Sequence, residues 1–470
     1  MFSFKDFNNF KKNNAIITET SENVSYESLN NYIDNFSKLI KKRSLIFLIC
    51  KNNLESIVGY IGSIRTNNVV ALINEKINIK LLRTLIKKYG PDFIFLEKKE
   101  KKKIKNYISI SSFFNYELIK SKKYIPKKLH IDLQQLISTS GSTGTSKFVR
   151  LSKKNVENNT ESIVKYLKIN SKDNTITTLP MSYVYGLSII NTHLFRGATI
   201  VLNNASIIQK NFWISLQKNK ITNFGGVPYI YSILDRINLK NYDLKHLNYT
   251  TQAGGKLHET IIKRILEKYK LQNIKLQIMY GAAEATARMS FLSWDKIEKK
   301  INSIGKPIPG GQFFIEDQYL NKINEENKIG ELVYVGKNVS MGYANNYKDL
   351  SKPDVNRGIL KTGDMAFKDK DHYYYLVGRK DRYIKIFGLR INLQELEDII
   401  INYGYENMCL QEKENQINIL LKKKINENNF KNFLTNLTNL HKSVFQIKII
   451  KQFPLSSNLK ISYDKNLLKT

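Results

Sequence analysis

The residues best equipped for chemistry lie in Ser138–Lys147 (STSGSTGTSK), where Ser and Thr hydroxyls, glycines and a terminal lysine follow one another. Glycine, having no Cβ, lets a backbone curl around an oxyanion and turn N–H groups toward it. The hydroxyls add donors and Lys147 adds positive charge. By composition this is a polyphosphate cradle. It is not a Walker loop, because GxxxxGK[ST] needs a glycine directly before the lysine and Ser146 stands there. A polar surface turn uses the same residue types, so the surrounding elements must decide.

Such a cradle needs a rigid strand beneath it, and the apolar run Leu133–Ile137 leads straight into it. Upstream, Ser44–Cys50 reads as a buried strand, Asn53–Arg65 as a helix and Val69–Ile73 as a second strand. That βαβ unit implies a parallel sheet with helices packed on it. The pattern continues through Asp92–Leu96, a helix over Asn155–Leu167, and strands at Thr175–Leu179, Thr199–Leu202, Asn223–Gly226 and Lys275–Tyr280. Ligand loops in such folds sit at the carboxyl ends of strands. Both the glycine-rich loop and Tyr280–Glu284 follow a strand, so they can converge on one ligand. Past Lys300 the texture changes to short β-like runs such as Gly330–Val335 and Tyr373–Val377.

At 470 residues, 42% of them hydrophobic, the chain can build more than one domain. Its first residues lack the apolar core of a leader, and runs such as Leu45–Cys50 are too short to span a bilayer. Cys50 and Cys409 have no close partner in sequence, which argues against a disulfide framework or a zinc site. A soluble, cytoplasmic protein is expected. The net charge of +34 invites a nucleic-acid role. However, lysine is spread along the whole chain, and the dense Lys98–Lys105 block has no aromatic residue within it. It reads as a solvated surface, and no nucleic-acid partner is expected. A basic surface can instead steer an acidic partner.

The order TSGSTGxxK resembles the phosphate loop of the adenylate-forming superfamily, which includes acyl-CoA synthetases, luciferases and peptide-synthetase adenylation domains. The resemblance runs nearly end to end. Val24–Leu29 (VSYESL) is similar to the N-terminal "TYxEL" element, and Tyr280–Glu284 (YGAAE) to "YGxTE". Lys361–Asp364 (KTGD) matches "TGD", and Gly378–Ile391 matches "GRxDxxIKxxGxRI". Pro454–Ile461 (PLSSNLKI) resembles the terminal "PxTxxGKI". The implied fold is α/β. A large N-terminal domain, 1–380, would have layered, parallel-rich sheets and a β-rich subdomain, and a small mobile α+β lid would occupy 381–470.

The implied activity is ATP-dependent, AMP-forming ligation of a small-molecule carboxylic acid to a thiol. Coenzyme A is the default thiol, with a phosphopantetheinyl carrier, an acidic carrier protein, as the alternative. By resemblance, Thr139, Ser140, Gly141, Ser142, Thr143, Gly144 and Lys147 grip the phosphates of ATP. Gly254, Gly255, Lys256 and Tyr280 border adenine, and Asp364 and Arg379 hold the ribose side. Glu284 would be the Mg2+ ligand, consistent with the hard oxygen donors magnesium takes. Lys460 would reach from the lid to the carboxylate and α-phosphate, and Arg390 would meet phosphate in one lid state. Asp381 would be the hinge, and Gly388 would mark the thiol tunnel. Tyr183, Gly225 and Gly226 would wall the acyl pocket. Taken alone, Asp364 in a TGD string is a turn residue, Tyr280 is packing and Lys460 is a solvated tail.

Three positions depart from the family pattern. Ala283 replaces a threonine whose hydroxyl contacts the α-phosphate, and losing such a charge-assisted bond costs about 1.5–3 kcal/mol. Leu459 replaces the glycine before Lys460, and Ser146-Lys147-Phe148 stands where "PKG" is usual. These departures keep a catalytically weakened, nucleotide-binding regulatory protein as an alternative. Without an aspartate at the usual amino-group anchor, a plain carboxylic acid is expected rather than an α-amino acid. Arg288, just past Glu284, is expected to be exposed, with a carboxylate or phosphate contact as the other reading. The acid, pathway and oligomeric state are not legible.

Overall fold

The computed structural model describes residues 7–463 apart from 41, 124, 139–146, 388, 412, 439, 456–460 and 462. Among the site residues, Thr139, Ser140, Gly141, Ser142, Thr143, Gly144, Gly388 and Lys460 therefore lie outside the described residues, as do Ser146 and Leu459. The chain divides into two compact units. One contains Met1–Gln312 and Tyr334–Leu360, the other Phe313–Val333 and Lys361–Thr470. The boundary expected at 380/381 falls inside the second unit.

The first unit carries the α/β layers. In its eight-stranded sheet, Leu133–Ser138, Val69–Asn74, Leu45–Cys50 and Phe93–Glu97 lie side by side and parallel, with antiparallel strands on both flanks. The central strands read as continuous apolar runs because helices cover both faces. Helix Leu54–Arg65 is buried along nearly its whole length. Its glycines allow that: a Cβ on Gly62 would stand 2.6 Å from Phe36, and one on Gly59 2.6 Å from Phe95. Helix Ile79–Tyr89, which the sequence reading did not place, contributes Leu82, Leu85 and Tyr89 to a cluster with Leu45, Phe47, Val69 and Ala71 of the sheet.

A second run of strands in this unit sets Asn223–Gly226, Tyr249–Gln252 and Lys275–Tyr280 parallel, with Gly226 opposite Gln252 and Gln252 opposite Ile278. All three end at one edge. Helix Lys153–Leu167 starts before the expected Asn155 because Ser152 and Asn155 form a reciprocal capping box. The strand expected over Thr175–Leu179 ends at Ile176, and Thr178 turns its hydroxyl to the Gly225 carbonyl instead.

In the second unit, Ile359–Lys368 pairs antiparallel with Tyr374–Arg379, and Tyr383–Ile386 pairs with Leu389–Asn392. A three-stranded sheet, Asn407–Leu410, Ile417–Leu421 and Phe445–Ile449, packs with helices Leu393–Asn402 and Glu427–Thr438 around Leu396, Ile400, Phe430 and Leu434. This is the small α+β part. Among the described residues, no helix is long and apolar enough to cross a membrane. Cys50 and Cys409 are buried free thiols. The Lys98–Lys103 block is a short 3-10 turn with no buried residue, as its solvated reading anticipates.

Candidate active site

Strand Lys275–Tyr280 runs into a tight loop whose short turn, Ala283–Ala285, presents Glu284. The loop is strained. Thr286 (φ 56°) and Ala287 (φ 115°) are both in the left-handed half of conformational space, where side chains are disfavoured. A Cβ on Gly281 would fall 1.8 Å from the Ala287 carbonyl oxygen, so only glycine closes this loop. The segment 338–340 pins it. Asn338 Nδ2 donates to the Ala285 and Arg288 carbonyls (2.8 and 2.9 Å), and the Ser340 N–H donates to the Glu284 carbonyl (2.8 Å).

The Glu284 carboxylate is half-buried and accepts a 2.6 Å hydrogen bond from the Tyr343 hydroxyl. The Lys147 ammonium sits 3.8 Å from the centroid of the Tyr343 ring. Lys147 and Glu284, far apart in sequence, are therefore joined through one tyrosine, which strand pairing of Tyr343 with Val149 holds in place. The motif reading missed Tyr343. The signal available was Gly342, whose φ of 96° lets the chain turn just before it.

Beside this corner, Gly254-Gly255-Lys256 leaves the strand adjacent to Lys275–Tyr280. Gly254 has φ 87°, the Gly255 carbonyl accepts from Gln252 Nε2 (2.9 Å), and Lys256 is exposed. Tyr280, half-buried, ends its own strand at the same edge.

Tyr183, buried, precedes helix Val184–Phe195. A Cβ on Gly186 would stand 2.3 Å from the Pro180 carbonyl, so glycine is required where this helix begins. Tyr185 donates to the Thr251 carbonyl (2.8 Å) and meets the Thr251 hydroxyl at 2.8 Å. Gly225 and Gly226 let this helix and helix Pro228–Arg236 approach: a Cβ on Gly225 would lie 2.9 Å from the Tyr185 hydroxyl, and one on Gly226 3.0 Å from Tyr231. Arg288 is not the exposed residue that was expected. It is 2% exposed, because the strained turn at Thr286–Ala287 folds the chain back into the unit. Its guanidinium carbon stacks 3.8 Å from the Tyr185 ring centroid.

In the second unit, Asp364 and Arg379 are directly opposed across paired strands, with Nη1 and Oδ1 3.3 Å apart. Asp364 lies inside a strand rather than at a turn, and Gly363 before it has φ 72°. Arg379 also pairs with Asp381 (3.3 Å), which sits exposed in the short turn Lys380–Arg382. Arg379 is half exposed, so these pairs orient side chains more than they stabilise. Arg390 lies in strand Leu389–Asn392, its backbone paired with Lys385.

The family described as AMP-binding enzyme matches residues 4–344. The chain belongs to this family. The matched stretch contains Lys147, Glu284 and Tyr343, whereas Asp364, Arg379 and Asp381 lie beyond it. Among its relatives, luciferin 4-monooxygenase of Photuris pensylvanica is 26% identical over 429 residues, covering 82% of this chain and 76% of the relative. Oxalate–CoA ligase of Arabidopsis thaliana is 28% identical over 272 residues, covering 57% and 52%. The fold is shared with o-succinylbenzoate CoA synthetase from Bacillus subtilis, solved with its acyl-adenylate intermediate (TM-score 0.78, 19% identity, 97% and 95% coverage). It is also shared with ATP-bound MatB from Rhodopseudomonas palustris (TM-score 0.82, 18% identity, 99% and 96% coverage). The AMP-binding fold thus accounts for both the large layered unit and the small α+β part.

Proposed function

We propose that this AMP-binding enzyme is an acid–thiol ligase that joins a carboxylic acid to the α-phosphate of ATP, releases pyrophosphate, and passes the acyl group to a thiol with release of AMP. The observation that carries the reading is the Lys147–Tyr343–Glu284 corner at the end of strand Lys275–Tyr280. Phosphoryl-type transfer is driven by positioning and charge. Lys147, held on the Tyr343 ring, offers a cation to the phosphates at the exit of the glycine-rich loop.

Glu284 offers a hard oxygen donor, and its unshared carboxylate oxygen fits a magnesium ion that keeps most of its ligands as water and substrate phosphate. Bound there, magnesium would supply neutralisation of phosphate charge. Tyr343 fixes the carboxylate direction. Tyr280 and Gly254–Lys256 border the adenine, Asp364 accepts from the ribose hydroxyls, and Arg379 steadies Asp364. Lys460 carries the charge that stabilises the pentacoordinate state, and rotation at Asp381 exchanges it for the Gly388–Arg390 segment during thiol attack.

Coenzyme A is the favoured thiol. The charge of +34 supports a second reading, in which an acidic carrier protein presents the phosphopantetheine thiol.

The test is ATP–pyrophosphate exchange over a panel of acids with wild type, Glu284→Gln and Lys460→Ala. Acid-dependent exchange, strongly reduced in both variants, is expected. Absence of exchange with every acid would leave a nucleotide-binding regulator, the alternative that Ala283, Leu459 and the Ser146–Phe148 departure keep open. Thioester formation with coenzyme A against holo-carrier then separates the two thiols.

A further inference from the structure

Arg288 is buried in the first unit, yet among the described residues it has no carboxylate partner. Its Nε donates to Met279 Sδ (3.4 Å), its Nη1 makes a long contact with the Ala287 carbonyl (3.4 Å), the Tyr166 side chain hydrogen-bonds with it, and its flat face lies on Tyr185. All of these are neutral. A guanidinium removed from water normally keeps an anion beside it, because neutral contacts do not replace its hydration.

A small cavity opens at Arg288. It is lined also by Gly225, Thr251, Tyr249 and His193, and has room for about one water. Among the described residues, two lining side chains present buried polar atoms outside hydrogen-bond distance of a partner, the Tyr249 hydroxyl and His193 Nε2, although the Asn223 side chain interacts with that imidazole. The roles of the His193 nitrogens follow from its surroundings. Nδ1 lies 2.8 Å from the Ile189 carbonyl and so carries the proton, leaving Nε2 as a bare acceptor. Buried polar atoms left unpaired are rare in native proteins, and two at one cavity beside a cation without a counterion mark a place for a polar guest, a water or a ligand oxygen. Gly225 links this place to the acyl pocket. Its missing side chain lets strand Asn223–Gly226 approach the helix bearing Tyr185 and Ile189, whose side chains a Cβ would meet at 2.9 and 2.8 Å.

We propose that Arg288 binds a second carboxylate on the acid, so that the substrate class is a dicarboxylic acid, activated at one end and anchored at the other by the guanidinium. This rests on the ligase reading and names its substrate class. The cavity has room for about one water, the place of one oxygen of the far carboxylate beside the guanidinium, and the cation selects against acids whose far end is neutral. A site that hydrogen-bonds a polar group rejects the analogue lacking it, because its own groups are then left unpaired.

The experiment compares ATP–pyrophosphate exchange for each diacid from malonate to adipate with that for its monomethyl ester, which removes one charge at nearly constant shape. Wild type is expected to prefer the best diacid over its ester by about 100-fold in kcat/KM. Arg288→Met should bring that ratio to within about threefold, and Arg288→Lys should retain part of it. A purely structural arginine would lower all acids alike and leave the ratio unchanged. Stabilisation by ATP in a thermal melt checks folding of the variants, and the wild-type comparison decides even if they fail to fold. Wild-type exchange as fast with esters as with diacids overturns the assignment while leaving the ligase standing. If no acid supports exchange, calorimetric titration of the same diacids and esters into wild type with a non-hydrolysable ATP analogue separates the two readings. Diacid-selective binding keeps the anion site and removes the ligase, and absence of such binding overturns both.

Discussion

Arg288 in the first unit is buried, Arg382 in the second is largely enclosed with 13% of its side chain exposed, and their charged surroundings differ. Arg382 Nη2 donates to Glu397 Oε1 at 2.7 Å, and Glu397 is itself almost fully enclosed. The same carboxylate accepts from the Cys409 N–H (2.7 Å) and from the Tyr463 hydroxyl (3.0 Å), while the Tyr463 ring covers the guanidinium at 4.0 Å. This charge has its counterion, and the counterion has its donors. Arg288 has an aromatic face, a thioether and a carbonyl, and unpaired polar atoms line the same cavity. Burial alone therefore does not distinguish a structural arginine from a binding one; the presence of an internal carboxylate does. Arg382 stands next to the proposed hinge residue Asp381, and its clasp ties that turn to helix Leu393–Asn402 within its own unit.

The largest effect expected from this contrast is at Glu397. Glu397→Ala removes the counterion and strands the Arg382 charge, which costs about 3–5 kcal/mol in urea unfolding. Burial raises the Glu397 carboxyl above its ordinary range, with Arg382 working against that rise. The pair is thus costly to assemble as well as costly to break, and Arg382→Met with Glu397→Leu should recover most of the loss. If the double variant is as unstable as Glu397→Ala, the clasp contributes more than mutual compensation. Tyr463→Phe deletes one of the hydrogen bonds to the carboxylate and should cost about 1–2 kcal/mol.

The cavity beside Arg288 gives a smaller, pH-dependent effect. Burial depresses the His193 imidazole below its usual 6.5, with the Ile189 carbonyl, Asp173 and Asn223 opposing that shift. The folded protein therefore holds His193 neutral, while the unfolded chain binds a proton there as pH falls through about 6.5. Stability from this group is full above that pH and is lost below it, by up to about 1.4 kcal/mol per pH unit. His193→Gln should flatten this part of the stability-against-pH curve. An unchanged slope would show that another group dominates acid unfolding, and that the surroundings of Arg288 are wetter than their burial implies.

The two arginines also show where sequence reasoning reaches. The strands and the βαβ layers were legible because a central parallel strand is an uninterrupted apolar run, as in Leu45–Cys50 and Val69–Ile73. Segments carrying Glu284, Asp364 and Arg379 were legible because their glycines and charges follow a fixed order. Arg288 was visible as an odd residue, but its burial was not, because two consecutive positive-φ residues that are not glycine, Thr286 and Ala287, leave no compositional trace. Tyr343 was missed for a related reason: its partners Glu284 and Lys147 come from loops distant in sequence, and spacing does not report contacts across elements. Glu397 was not singled out in the sequence, and only the packing of helix Leu393–Asn402 turns it inward.

The smallest expected effect bears hardest on the comparison. Arg288→Met replaces a buried cation with an apolar side chain of similar length. It strands no carboxylate, since none pairs with Arg288 among the described residues. It gives up stacking on Tyr185, worth about 0.5–2 kcal/mol, and relieves the desolvation of a charge without a counterion. These terms oppose each other, so the unliganded protein should change in stability by no more than about 1 kcal/mol in urea unfolding, in either direction. A loss of several kcal/mol, comparable to Glu397→Ala, would mean that Arg288 is held by interactions as strong as those of Arg382. The two residues would then belong to the same structural class, and the case for a ligand charge at Arg288 would lose its physical basis.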